Sequence, residues 1–196
     1  MQWTIVGLGN PGSAYMHTRH NVGFLAVDAM REKFSCDPGW KKRLFAKAVT
    51  ADGTIADTPV QFILPQTYMN LSGVAVQKFV KTPEAIAHMI VIHDDVHLPI
   101  GTLKISTDRG DGGHNGITSL MDTLKSKAFI RIRVGVAPAK IEGMEVQRIK
   151  LDDYVLGKFK PEERETLEAL FPKIRNIVEH IITKGLADAM NVYNTK

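Results

Sequence analysis

The most constraining stretch is near the start of the chain, where Trp3 to Gly7 read WTIVG and run directly into the glycine-rich turn GLGNPG. A short apolar run closed by glycines is the pattern of a buried strand feeding a turn. From Val22 the apolar period becomes helical: Val22, Leu25, Ala26, Ala29 and Met30 share a stripe, with Arg31, Glu32 and Lys33 beside it. A strand, a loop and then a helix commit the chain to layers of helix packed on sheet.

The rest of the chain continues that alternation. LFAKAVTADGTIADTPVQFILP predicts two strands around a turn at Asp52-Gly53, with Pro65 closing the second. HMIVIHDD predicts another strand, apolar until it reaches two carboxylates. Ile117, Leu120, Met121 and Leu124 follow i, i+3, i+4, i+7 and mark an amphipathic helix. In FIRIRVGVA, Ile130, Ile132, Val134 and Val136 alternate with Arg131, Arg133 and Gly135, which is strand periodicity with two arginines on one face. From Pro161 to Lys184 the apolar residues trace one long helical stripe, which Pro172 is expected to kink and Gly185 to stop. The sum is an α/β fold: a single domain, residues 1–196, around a central sheet.

Composition removes several other classes. Apolar residues at 44% and charged residues at 23% are ordinary for a globular chain. No run approaches the roughly 18 apolar residues of a spanning helix, and the N-terminus carries no signal-peptide pattern, so a cytoplasmic protein without a membrane partner is expected. Cys36 is the single cysteine, which excludes an internal disulfide and a thiolate zinc cluster. The seven histidines form no H-E-x-x-H pattern, and no metal or other cofactor is expected. A formal charge of +4 is compatible with a polyanionic partner.

GLGNPG fits the spacing G-x-G-x-x-G, but the rest of a dinucleotide fingerprint is missing. The third glycine should open a helix whose N-terminus receives a pyrophosphate, with an acidic residue about 20 positions on. Here the helical period begins some nine residues late, and Asp28 falls inside that helix and not at the end of a second strand. The turn is better read as freeing a loop that carries Asn10, Tyr15, Arg19, His20 and Asn21. Asn10 could equally satisfy turn backbone, and Asn21 could cap the next helix.

Strand-end loops are where α/β proteins place their chemistry. Those of this chain read NPG…RHN, TYMNLSG, HDD and GGHNG. They offer two histidines, His20 and His114, the amides of Asn10, Asn70 and Asn115, and a carboxylate, Asp94 or Asp95. Each has a structural alternative, such as Ser72 or Asn70 capping a helix, or Gly112 and Gly113 only turning the chain. With no serine in a nucleophile elbow, the simplest engine is a histidine acting as general base on water. A carboxylate would fix its tautomer, and amides would donate to an oxyanion, a set suited to an activated acyl bond such as an ester.

Taken in order, GLGNPG, TRHNVG, TYMNLSG, HDDVHLPIG, GGHNGI, RVGV and YVLGKF resemble the bacterial peptidyl-tRNA hydrolase family, from about residue 4 to 159, with the last 37 residues similar only in general character. The resemblance implies one α/β domain with a mixed twisted central sheet flanked by helices, usually monomeric and metal-independent, that cleaves the ester between a peptide and the 3′ end of tRNA. It selects His20 over His114 as the base, with Asp94 supporting it and Asn10 discriminating blocked from free aminoacyl groups. It implies that Asn70 and Asn115 hold the peptide carbonyl, the water and the terminal nucleotide. Tyr15, Tyr68, Met69 and His114 would line the groove. A basic pair grips tRNA phosphate in the family; Arg133 fills one of those positions, Ser106 stands at the other, and Lys104 on the same strand face is the expected substitute. His97 replaces a residue that is more often acidic, and the charges of the last long helix, Lys173, Arg175 and Lys184, read as a solvated face. The expected partner is peptidyl-tRNA, through its acceptor end and peptide. The rival readings are a non-catalytic RNA-binding module, a nucleotide-dependent oxidoreductase and a phosphodiesterase built on His20 and His114.

Overall fold

The first apolar run forms β1 (Trp3–Gly7) at the centre of a seven-stranded sheet; this computed structural model describes residues 2–34, 39–138 and 151–194, so Cys36 lies outside the described residues. The other strands are β2 (Lys41–Arg43), β3 (Ala48–Ile55), β4 (Thr58–Pro65), β5 (Met89–Pro99), β6 (Leu103–Ser106) and β7 (Ile130–Ala137), in the order β2-β3-β4-β1-β5-β7-β6. β4, β1, β5 and β7 are mutually parallel, and β2, β3 and β6 add antiparallel edges. The central sheet predicted from the strand and helix periods is therefore present, and it is mixed, as the family resemblance implies.

The helices are α1 (Val22–Arg31), α2 (Ser72–Val76), α3 (Pro83–Ala87), α4 (Asn115–Leu124), α5 (Leu151–Leu156), α6 (Pro161–Glu168), α7 (Phe171–Lys184) and α8 (Leu186–Tyr193). They cover both faces. Ile5, Phe62, Ile90 and Ile92 pack with α1 and α7, while Val6, Ile63, Met89 and Val91 pack with α2 and α4. Neighbouring residues of one strand thus enter opposite cores, which is why these strands read as continuous apolar runs and not as alternations. No described helix is long and apolar enough to cross a membrane.

Three sequence expectations are corrected here. Asp52-Gly53 lies inside β3, with the Asp52 carboxylate accepting from Gln61 on β4 at 2.9 Å; the turn is Ala56-Asp57, both with positive φ (45° and 62°). Such angles are those of a two-residue hairpin turn, and its position follows from the register that pairs Ile55 with Thr58. The long C-terminal stripe is broken at Ala169 and Leu170 into α6 and α7, and Pro172 lies in the first turn of α7, where its missing N–H costs no bond. Gly185 does end α7 at φ 93°, but α8 follows at once. Beyond α8, the Asn194 amide accepts from the Ile105 N–H at 2.8 Å and donates to the Ile105 carbonyl at 2.9 Å, pairing with the outer strand β6.

The glycine turn is a packing device. A Cβ on Gly7 would collide with the Gly23 carbonyl, and one on Gly9 would meet the Phe24 ring at 2.6 Å. The first two glycines therefore let α1 press against the end of β1, an arrangement that leaves no room there for a pyrophosphate. Close packing of α1 sets the position of the loop between them, residues 8 to 21.

Candidate active site

His20 sits in a single 3₁₀ turn, Arg19–Asn21, immediately before α1. Asp94 is on β5 among buried residues, and His114 is the N-cap of α4. The three converge although 74 residues separate the first two: the His20 Nδ1 lies 3.0 and 3.1 Å from the Asp94 oxygens, and the His114 Nε2 lies 2.9 Å from Oδ1. Asp94 is 2% exposed and His20 8%. Burial by itself would raise the Asp94 carboxyl, but His114 and then His20 outweigh it and hold the group well below the usual carboxylate range.

The two imidazoles are not equivalent. His114 receives the Gly116 and Ile117 N–H groups on Nδ1 at 3.1 and 3.3 Å, so its proton is on Nε2 and is donated to Asp94. Both of its nitrogens are used. His20 donates Nδ1–H to the ionised Asp94, and its Nε2 has no partner among the described residues. Asp94 is thus shared by two imidazoles, and the His114 side chain does the capping at α4. His93, the residue before Asp94, donates Nδ1–H to the Asp94 carbonyl at 2.7 Å. Burial, followed by the neighbouring His114, pushes its pKa well below the ordinary histidine value, so it stays neutral.

The loops are tied to one another by asparagines. The Asn21 side chain accepts from the Asn10 N–H at 2.8 Å and donates to the Asn10 carbonyl at 2.9 Å, and the Asn10 Oδ1 accepts from the Met69 N–H at 2.8 Å. Asn21 therefore does not cap α1 with its side chain, as the sequence allowed; it braces the first loop from within. The bond from Met69 joins that loop to TYMNLSG, and the Ser72 hydroxyl donates to the Met69 carbonyl at 2.8 Å.

A cavity of about 350 Å³ opens beside these groups, walled by His20, Asp94, His114, Asn115, Arg109 and Arg133, among others. Several predicted site residues lie outside its wall. Tyr15 and Tyr68 form an edge-to-face pair 6.3 Å apart, Tyr68 being 59% exposed, and Asn70 is exposed. Met69 is 4% exposed and belongs to the core beneath α2 and α4, so it meets the site through its backbone and not as an open groove wall. Lys104 pairs directly with Arg133 across β6 and β7 but is not on the cavity wall.

Several contacts had no sequence signal. Arg133 is held in an ion pair by the Asp95 carboxylate, which also accepts the His97 N–H at 2.8 Å. Arg131 is 2% exposed and donates to the carbonyls of Arg109 and Gly110, both at 2.6 Å. Arg19, also buried, pairs with Glu163 of α6 at 2.6 Å. Strand alternation shows which face Arg131 and Arg133 occupy but not which loop returns to meet them.

His20, Asp94 and His114 are also the described residues whose donor atoms could surround a metal, all within 4.8 Å of one another. An ion there would have to displace the Nε2 proton of His114, whose other nitrogen is engaged by α4. The arrangement fits proton transfer: an ionised acid, one imidazole with both nitrogens satisfied, and one imidazole with a nitrogen left over beside a cavity.

Comparison with known proteins shows the family. The family model described as Peptidyl-tRNA hydrolase matches residues 4–196, so the likeness extends through the last 37 residues, which share more than general character. The chain is 45% identical over 193 residues to the peptidyl-tRNA hydrolase of Clostridium novyi, covering 97% of this chain and 96% of that one. It is also 45% identical over 197 residues to that of Bdellovibrio bacteriovorus, covering 98% and 100%. The crystal structure of peptidyl-tRNA hydrolase from Acinetobacter baumannii superimposes with a TM-score of 0.86 at 30% identity, covering 98% of this chain and 94% of that one. The chain belongs to the peptidyl-tRNA hydrolase family.

Proposed function

We propose that this protein hydrolyses the ester joining a peptide to the 3′ end of tRNA, with His20 as the general base, and so returns tRNA from abandoned translation. The observation that carries the assignment is the asymmetry of the imidazoles on Asp94: His114 has both nitrogens engaged, and His20 keeps Nε2 beside the cavity. The reading includes a monomer working in the cytoplasm.

In the reaction a water gives a proton to His20 Nε2 as its oxygen attacks the ester carbonyl. The imidazolium that forms is stabilised by Asp94 through Nδ1–H. Collapse of the tetrahedral intermediate breaks the bond to the ribose oxygen, which takes the proton back, leaving a free peptide carboxyl and a tRNA hydroxyl. The oxyanion needs donors. Two first-turn N–H groups of α4 are already taken by His114, so the donors are side-chain amides: Asn115 on the cavity wall and Asn10, whose Oδ1 is fixed on Met69 while its Nδ2 has no described protein partner.

The test is incubation with an N-acetyl-aminoacyl-tRNA and separate readout of the ester and of the RNA backbone. Ester cleavage with an intact strand is expected, and His20→Ala should lower turnover by roughly 10²- to 10⁴-fold while the protein remains folded. Binding without cleavage would instead make the chain a tRNA-binding module, and a cut strand would make it a phosphodiesterase.

A further inference from the structure

We infer that Arg109, and not the strand residue Arg133, supplies this protein's free guanidinium for a backbone phosphate of the bound tRNA. The inference rests on the proposed reading of the substrate. The cavity beside His20 continues along a basic wall that carries Arg109, Arg131 and Arg133. Two of these three are committed elsewhere. Arg133 is paired through its Nε with Asp95, itself only 8% exposed, so that a buried carboxylate already balances its charge. Arg131 is buried, with its terminal nitrogens on two consecutive loop carbonyls and its guanidinium 4.9 Å from the Phe129 ring centre. The Arg109 side chain is exposed and has no protein partner among the described residues.

Its platform is nonetheless stiff. Arg131 grips the carbonyls of Arg109 itself and of Gly110. On one side, Asp108 donates its N–H to the Lys127 carbonyl at 3.2 Å and faces the Lys127 amine at 3.8 Å. On the other, the Asp111 carboxylate accepts from the Gly113 N–H and the Thr118 hydroxyl, both at 2.9 Å. The acidic groups around Arg109 are thus each occupied, while the cation above them is not. Guanidinium binds phosphate bidentately, and a held backbone reduces the ordering cost of doing so.

Ser106, 5% exposed, lies opposite Arg131 in the β6–β7 ladder, and among the described residues neither its hydroxyl nor the Arg131 Nε has a hydrogen-bond partner. Burial, then the neighbouring Arg133 charge, holds the Arg131 guanidinium below its usual range, as expected where like charges share a wall. The phosphate contact has thereby moved from the strand position held by Ser106 to the loop position held by Arg109.

The decisive experiment compares wild type, Arg109→Ala and Arg109→Lys on two esters, N-acetyl-aminoacyl-tRNA and N-acetyl-aminoacyl-adenosine, which has no phosphate. For the tRNA substrate, Arg109→Ala should raise KM by roughly 10- to 100-fold, the scale of one charge-assisted contact, with kcat changed far less. The slope of log KM against log salt should shrink by about 0.7 to 0.9, one phosphate contact, and Arg109→Lys should restore most of it. The adenosine ester should show no such difference. An unchanged salt slope, an equal loss on the adenosine ester, or a slope that responds to Arg133→Ala and not to Arg109→Ala would overturn the inference. If the wild type cleaves neither ester, it is the proposed reaction that fails.

Discussion

Replacing Asp94 by Asn is the sharpest test of the proton-transfer arrangement, because it keeps size and shape and changes only what the two terminal atoms can do. In the wild type, Oδ1 accepts from both His20 and His114, and Oδ2 lies 3.1 Å from the His20 Nδ1. His114 cannot change tautomer, since its Nδ1 is the acceptor that caps α4. The amide oxygen of the substituted side chain must therefore face His114, which leaves the His20 N–H to share that oxygen with His114 while an NH₂ group takes the place of Oδ2, 3.1 Å from the His20 Nδ1. His20 escapes this donor–donor clash by rotating away or by moving its proton to Nε2, the nitrogen that has to receive one from water. The imidazolium also loses its counter-ion. Together these should lower kcat by roughly 10²- to 10⁴-fold, about 2.7 to 5.4 kcal/mol of barrier. Single-turnover cleavage of N-acetyl-aminoacyl-tRNA, with a melting curve to confirm folding, measures it. Because the two residues act as a unit, Asp94→Asn added to His20→Ala should cost little beyond His20→Ala alone. A variant within about tenfold of wild type, or a double variant whose losses multiply, would refute the coupled arrangement.

Two further outcomes follow from buried polar groups. The depressed pKa of His93 means that below about pH 6.5 the unfolded chain takes up a proton that the folded chain refuses; stability is full above that pH and declines as pH falls, by at most about 1.4 kcal/mol per unit for this group. Asp94, also depressed, contributes stability above its ordinary value of about 3.9 and is constant across that window. Melting temperature recorded from about pH 7.5 to about pH 5 should therefore fall, and His93→Asn, which keeps a donor for the Asp94 carbonyl, should flatten the slope; an unchanged slope would remove His93 as its cause. Asn21→Ala should cost roughly 1 to 3 kcal/mol by orphaning the buried Asn10 N–H and carbonyl, lowering Tm by about 2 to 4 °C per kcal/mol. A melting point unmoved by that change would mean that water replaces the side chain without loss.

The strands and helices that build the sheet were legible because both physical signals, apolar runs and a 3.6-residue period, survive in the linear chain. β1, α1, β5, α4 and β7 are all visible in this way. The hairpin turn was not, because Asp52-Gly53 has the stronger local turn composition and only the cross-strand register moves the reversal to Ala56-Asp57. Collecting polar residues from strand-end loops found His20, His114, Asn115 and a carboxylate, Asp94 or Asp95; His20, Asp94 and His114 do meet, and Asn115 shares their cavity wall. It could not rank the two histidines, since the difference between them lies in two backbone N–H groups at the start of α4. Asp95 and Arg133 show the same limit. Their pairing depends on the parallel alignment of β5 with β7, a contact across 38 residues that neither local stretch announces.

The outer strand β6 has a further consequence for the molecule in a crowded solution. The N–H and carbonyl groups on the outer side of an edge strand are the kind of template onto which a stray extended chain can be added. Asn194 occupies both groups of Ile105 with one side-chain amide and so mimics a neighbouring strand a single residue long. A sheet terminated this way has no free rung at that point from which to grow into aggregates.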